Sequence, residues 1–356
     1  MALALYLIGA PAAGKSAVFD ALTNTPQGPH FSTKGAHRLG TVKVPDLRLS
    51  QLAQLYQPKK VTPAEVTFVD VGLPPGASEQ RSFGELTTFL GDADALLLVV
   101  QAFGQFDYRG QALDSLNQLK AVHLELIVSD LDKAERRLER IAQERKKGTK
   151  GSEHEVALLQ RCKAHLESER PLTTLRLHEE DEKLIRGFRF LSQKRILVVL
   201  NVSEDDVQAR ALQPLFEACK AYAHDVLAFC APLEAEIAQL EPQAQAEFLK
   251  GYGLVEPART RLIRSAYHLL DLISFFTVGE DEVRAWTIER SAGAQTAAGK
   301  IHSDIERGFI RAETVSCAAL LEHKSWAKCR DHGLLRLEGK TYQVQDGDVI
   351  NFRFGT

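Results

Sequence analysis

The sequence predicts an α/β protein with a doubly wound, mostly parallel sheet, an inserted helical arm and a small β-rich module at its end. Short apolar runs alternate with helical stretches, as strands buried on both faces of a parallel sheet do. A glycine-bearing loop follows the first of those runs, and a long charged helical stretch interrupts the alternation. With 356 residues, 44% of them hydrophobic, the chain can bury a sizeable core and divide into two or three domains. A formal charge of −3 provides no global basic field, so any nucleic-acid surface must be a local patch.

The N-terminal run Met1 to Leu5 has no basic region before it and is soon broken by Pro11. It reads as a buried strand, so neither a secretory segment nor a membrane partner is expected. The five cysteines, Cys162, Cys219, Cys230, Cys317 and Cys329, form no C-x-x-C pair and are odd in number. That fits neither a zinc site nor a disulfide framework and points to a reducing cytoplasm.

The strand signals are Leu3 to Ile8, Glu65 to Val69, Ala95 to Val100 and Arg195 to Leu200. In such a sheet ligands bind beyond the carboxyl ends of the strands. Within the interruption Leu131, Ala134, Leu138 and Ile141 recur at three-four spacing, and Leu159, Cys162 and Leu166 repeat it beyond a Lys146–Ser152 break. Two antiparallel helices packed through a narrow seam satisfy that pattern. Arg145, Lys146, Lys147 and Lys150 cluster at the tip, which reads either as a contact for RNA phosphates or as a solvated helix end. After Asp271 come strand signals at Phe275 to Val278 and Arg284 to Ile288, a helical stretch, and strand signals at Tyr342 to Val344 and Val349 to Phe354. The turn Asp346-Gly347-Asp348 joins the last two.

Gly9-Ala10-Pro11-Ala12-Ala13-Gly14-Lys15-Ser16 matches G-x-x-x-x-G-K-[ST] between a strand and a helix that opens Ala17-Val18-Phe19. Glycines let successive N–H groups approach phosphates, Lys15 reaches the β and γ oxygens, and Ser16 offers a hydroxyl to Mg²⁺. The helix starting there points its positive end at the same anion. A Mg²⁺-bound purine nucleoside triphosphate is the ligand this spacing serves. Asp70 ends the strand Val66 to Val69, where a carboxylate can hold Mg²⁺ through water; an ordinary strand-end Asp is the other reading. Asn201-Val202-Ser203-Glu204 follows the strand Arg195 to Leu200, where a GTPase-like domain carries its base-reading N-K-x-D. Val202 replaces the Lys and Glu204 the Asp that accepts from guanine, so guanine selectivity is expected to be lost. The same residues also spell a helix N-cap. Cys230-Ala231 follows the strand-like Val226 to Phe229, either against the base edge or as small buried residues.

Taken in order, Gly9 to Ser16, Asp70, Asn201-x-x-Glu204 and Cys230-Ala231 resemble the YchF/Obg-like ATPases, and the likeness covers nearly the whole chain. Matching stretches include Val44-Pro45-Asp46, Glu234 to Ala238, Glu282 to Ile288, Ala297 to His302 and Gly308 to Ala312. The resemblance implies a GTPase-like core over 1–104 and 195–275, an arm over 105–194, and a β-grasp, ubiquitin-like TGS domain over 276–356. It also implies ATP preference over GTP and association with ribosomes or RNA, and a monomer is expected.

Several departures fall on the hydrolytic parts. The family's D-x-x-G is shortened to Asp70-Val71-Gly72, shifting the glycine whose N–H should meet the γ-phosphate. Leu73 keeps the family's apolar residue where other GTPases orient water with Gln; with Lys15 it forms the candidate catalytic pair. Phe31 to His37 replaces F-C-T-I-E-P-N, leaving Thr33 as a candidate Mg²⁺ ligand beside Ser16 and Asp70. The loop Gly104 to Gly110 lacks the family's histidine, and Ala12 stands where the family has Asn. The expected activity is a slow ATPase switch, with nucleotide held by Gly9 to Ala17, Gly72, Asn201, Val202, Glu204, Cys230 and Ala231. The competing readings are a hydrolysis-deficient nucleotide-binding regulatory module and a GTP-preferring member.

Overall fold

The computed structural model describes residues 3–24, 37–71, 89–147, 152–208 and 212–355. It divides into two compact units, Met1–Gly40 with Thr67–Arg259, and Thr41–Val66 with Thr260–Thr356.

The first unit holds strands β1 (Ala4–Ile8), β5 (Ala95–Ala102), β6 (Arg195–Val202) and β7 (Asp225–Phe229), together with most of β4 (Glu65–Val71). Their sheet order is β2-β4-β1-β5-β6-β7, where β2 is His37–Lys43. β1 runs parallel to both β4 and β5, and β5–β6 and β6–β7 are parallel too. All eight residues of β5 are buried, as a central parallel strand covered on both faces requires. Helix α1 (Lys15–Thr23) buries Val18, Phe19, Ala21 and Leu22.

The arm comprises helices α3 (Ser115–Lys146) and α4 (Glu153–Glu167); α2 is the helix Leu47–Tyr56 of the second unit. Asp114 and Ser152 cap α3 and α4 by accepting from Asn117 N and Glu155 N. Ala134, Ile141, Leu159, Cys162 and Leu166 form one buried cluster, with Leu131 and Leu138 at its margin. Ion pairs Arg137–Glu155 and Lys163–Glu135 cross the seam in antiparallel order, at 2.8 and 2.7 Å. At the tip Arg145, Lys146 and Lys147 are exposed, whereas Lys150 lies outside the described residues.

The second unit is a mixed sheet ordered β11-β10-β12-β8-β9-β3. Its strands are β3 (Lys60–Thr62), β8 (Leu272–Thr277), β9 (Glu282–Glu289), β10 (Phe309–Ser316), β11 (Arg336–Glu338) and β12 (Asp348–Phe354). The helix Ala294–Ile301 lays Ala294, Ala297 and Ala298 against Phe275, Ile288, Ile350 and Phe352, its small side chains permitting close approach.

Three features depart from the sequence reading. Tyr342 to Val344 forms no strand: Gln343 makes an isolated bridge to Gly293, and Val344 N donates to Ala292 O. These backbone groups bind a loop rather than a neighbouring strand. Conversely Phe309–Ser316 is a well-paired strand whose pattern is masked by Arg311, Glu313 and Thr314. Thirdly, Thr41–Val66 groups with the C-terminal residues, because β3 pairs in parallel with β9 from Lys60↔Glu282 to Thr62↔Arg284.

Candidate nucleotide-binding site

The carboxyl end of β1 opens into the loop Gly9 to Ser16. Gly9 has φ +150° and Gly14 φ +88°, values that side-chain-bearing residues rarely adopt. A Cβ on Gly9 would sit 2.2 Å from Val99 O, and one on Gly14 2.1 Å from Asn201 Nδ2. Both glycines are therefore demanded by close neighbours as well as by conformation. Ala12 also lies in the left-handed region, at φ 58°. Gly14 caps α1 without a side-chain hydrogen bond, so backbone N–H groups at the helix start remain for an anion.

Lys15 Nζ donates to Gly9 O at 3.1 Å and to Ala10 O at 2.9 Å, which places the ammonium within the loop's concavity. Burial lowers its pKa, and nearby Asp70 opposes that shift. Asp70 is the penultimate residue of strand β4 and is fully buried, at 1% exposure. Burial raises its pKa; a hydrogen bond from Ser16 and the charges of Arg38 and Lys15 partly offset the rise. Its Oδ2 is buried without a hydrogen-bond partner among the described residues and lies 3.6 Å from Arg38 Nη1. An acceptor with an unused lone pair beside a serine hydroxyl is a hard oxygen pair of the kind Mg²⁺ takes, so the residues present fit that ion.

Asn201, the penultimate residue of β6, is 5% exposed, and its Nδ2 donates to Ala13 O at 3.1 Å, tying the strand to the loop. Val202 is buried, while Glu204 is exposed in a short 3₁₀ turn, Glu204–Asp206. Cys230 caps the helix Ala231–Ile237, and Cys230 and Ala231 are both 3% exposed. Burial raises the Cys230 pKa. Asn201 pairs with Phe229 across β6 and β7, so the Asn201–Glu204 and Cys230–Ala231 segments leave the ends of adjacent strands. From the end of β5, Gln101 Nε2 donates to Phe103 O and Phe106 O in the following loop, at 3.2 and 3.0 Å. Thr33, Gly72 and Leu73 lie outside the described residues.

Two contributors escaped the sequence reading. Arg38 pairs with Asp20, reaches Asp70 and stacks its guanidinium over Phe19 at 4.7 Å. Nothing in its spacing announces this, because the three partners are brought together only by the fold. Glu234 is 2% exposed and accepts from Ala258 N and Arg259 N at 2.7 and 3.0 Å, while Arg259 Nε donates to Leu22 O at the end of α1.

A ribosome-binding ATPase YchF from Bacillus subtilis (strain 168) is 38% identical over 369 residues, spanning 99% of this chain and 100% of that protein. The chain belongs to the YchF family. The Escherichia coli O157:H7 ribosome-binding ATPase YchF is 37% identical, with 98% of each chain covered. The family described as YchF-GTPase_C, a protein of unknown function (DUF933), matches residues 272–355, which take in the C-terminal sheet from β8 to β12. Among solved structures, the Schizosaccharomyces pombe YchF GTPase superposes with a TM-score of 0.87 at 27% identity, over 99% of this chain and 97% of that one. The YchF architecture thus accounts for both mixed α/β units and for the helical arm. Among the described residues no helix is long and apolar enough to cross a membrane.

Proposed function

We propose that this chain binds ATP·Mg²⁺ in the Gly9–Ser16 loop, hydrolyses it slowly, and uses the bound state as a switch on the ribosome in the cytoplasm. The observation that carries the reading is the loop itself, with two glycines fixed against Val99 and Asn201 and one ammonium held inside its curve. The relatives named ribosome-binding ATPases support the ribosomal part.

In this reading Lys15 takes the β and γ oxygens, the loop from Gly9 through Ala17 surrounds the phosphates with the backbone N–H groups it has, Pro11 lacking one, and Ser16 and Asp70 with Thr33 are the metal ligands. Mg²⁺, when bound, neutralises phosphate charge. Asn201 keeps Ala13 in place through its hydrogen bond. Val202, Glu204, Cys230 and Ala231 face the base, and Glu204, standing where guanine recognition needs Asp, favours ATP over GTP. Gly72 belongs to the nucleotide-binding set and Leu73 stands with Lys15 as a candidate catalytic residue, Lys15 being the main electrostatic contribution from the chain. The C-terminal sheet is a TGS β-grasp domain, and the arm tip faces RNA. The protein acts as a monomer.

Lys15→Ala tests the assignment, since it removes the ammonium while leaving the loop glycines. Triphosphate affinity should fall by roughly tenfold to a hundredfold, the worth of about 1.5–3 kcal/mol for a hydrogen bond to a charged group. Calorimetric titration would check this, and unchanged affinity would mean the site lies elsewhere. The shortened Asp70-Val71-Gly72 favours one competing reading, a chain that binds but does not hydrolyse. Single-turnover ATP hydrolysis separates the two, because a rate equal to buffer with binding intact leaves only the regulatory module. A competition titration in which GTP displaces ATP preferentially would overturn the base assignment.

A further inference from the structure

The C-terminal sheet is split along one line. β12 pairs with β10 along its whole length, from Phe309↔Phe354 to Ser316↔Asp348, yet its register with β8 is the single pair Val349↔Phe276 among the described residues. β8 stops at Thr277 while β12 continues to Phe354. A cavity of about 420 Å³ occupies the gap, with Thr277 and Val278 on one wall and Ile350 through Phe354 on the other. Five consecutive strand residues lining one cavity is informative, because successive side chains point to opposite faces of a sheet. Only a cavity running along the strand's edge meets them all, and alternate residues there direct N–H and C=O away from β10.

The two sides of this slot differ chemically. Towards the helices Ala294–Ile301 and Ser303–Arg307 it is apolar, with Ile301 and Ile305 packing beside Ile350 and Phe352. The opposite side carries Trp326, Arg330 and Arg353. Glu313 is the carboxylate there, and it is already engaged by Arg353 Nη2 at 3.0 Å and Asn351 Nδ2 at 3.3 Å. Arg330 is exposed, and Arg311 stands directly across from Arg353 on β10. Two guanidinium groups line the slot against one carboxylate, with Arg311 flanking them on β10, which leaves net positive charge along one side of the strand edge.

We propose that this slot binds an extended acidic segment of a partner protein by strand addition to β12. Its backbone would complete the ladder that β8 leaves unfinished. Its side chains would alternate, apolar residues entering between Ile301 and Ile350 and carboxylates meeting Arg330 and Arg353. The backbone edge favours a peptide over RNA, which has no use for strand hydrogen bonds.

The full chain has two tryptophans, and both report on the slot: Trp326 lines it and Trp286 Nε1 donates to Thr277 Oγ1 at 2.9 Å. Titration with a capped peptide alternating Val and Glu should change tryptophan emission saturably and slow amide hydrogen exchange within Ile350 to Phe354. Arg330→Glu should weaken binding about tenfold. The same peptide N-methylated at alternate residues should not bind, a control that leaves the protein unaltered. The proposal is overturned by no saturable change, by equal binding of a Val-Lys peptide or of the N-methylated one, or by oligouridylate RNA producing the same protection in place of the peptide.

Discussion

Gly14 carries two demands at once, a left-handed backbone and a neighbour that would stand 2.1 Å from any Cβ. Gly14→Ala should cost about 2 kcal/mol, from backbone strain of about 1–3 kcal/mol and displacement of the Asn201 amide. Urea unfolding would measure the loss, and Asn201→Ala in the same chain should recover part of it. Strictly additive losses would show that the two positions do not touch. Glu313 gives a pH prediction. Its ion pair with Arg353 lowers its pKa below 4.5, so this contribution is complete above 4.5 and is lost as pH falls through the depressed value. Glu313→Gln should therefore narrow the stability difference between about pH 6 and about pH 3.5 in urea melts, and an unchanged difference would remove the pair from the acid response. At this scale the loop was legible because its signals are contiguous in eight residues of sequence. Asn201 was legible through its place after an apolar strand. The Arg38–Asp20–Asp70 group was not, because an arginine in an irregular stretch carries no periodic signal.

The helical arm was readable as an element because its apolar residues repeat at helical spacing and face one another. Ile141 is 2% exposed in the seam between α3 and α4. Ile141→Ala should cost about 2–5 kcal/mol, through lost burial and a residual cavity. Differential unfolding followed by hydrogen exchange should place that loss in the arm and leave nucleotide affinity unchanged, and a parallel fall in affinity would tie the seam to the loop. The central strands β5 and β6 were equally plain, since burial on both faces writes an unbroken apolar run. β10 and β11 were not, because charged residues fall on both faces, Arg311 and Glu313 on one and Arg336 on the other, and break the run. The short β3 is three residues, two of them exposed, and offers no pattern to find.

Across the whole molecule, the parallel sheet and the C-terminal module follow from the order of runs, but membership of Thr41–Val66 does not. Sequence adjacency assigns that segment to the strands around it, whereas pairing assigns it to β9. A fragment covering 260–356 alone should accordingly melt at lower temperature than the same fragment supplemented with a 41–66 peptide. Without that peptide β9 loses its outer partner and Asp346 loses Arg48, which bonds it at 2.8 Å. Identical melting curves by circular dichroism would mean that the segment contributes nothing. The β3–β9 pairing also shapes biosynthesis. Lys59 bonds Asp281, a residue 222 positions further on. At translation rates of about 5–20 residues per second, the early segment waits roughly 10–45 s for its partner to leave the ribosome. During that interval the nascent chain carries a short strand without its mate, so the C-terminal unit closes only after synthesis is nearly finished, and its long sequence separations make that closure slow relative to local pairing.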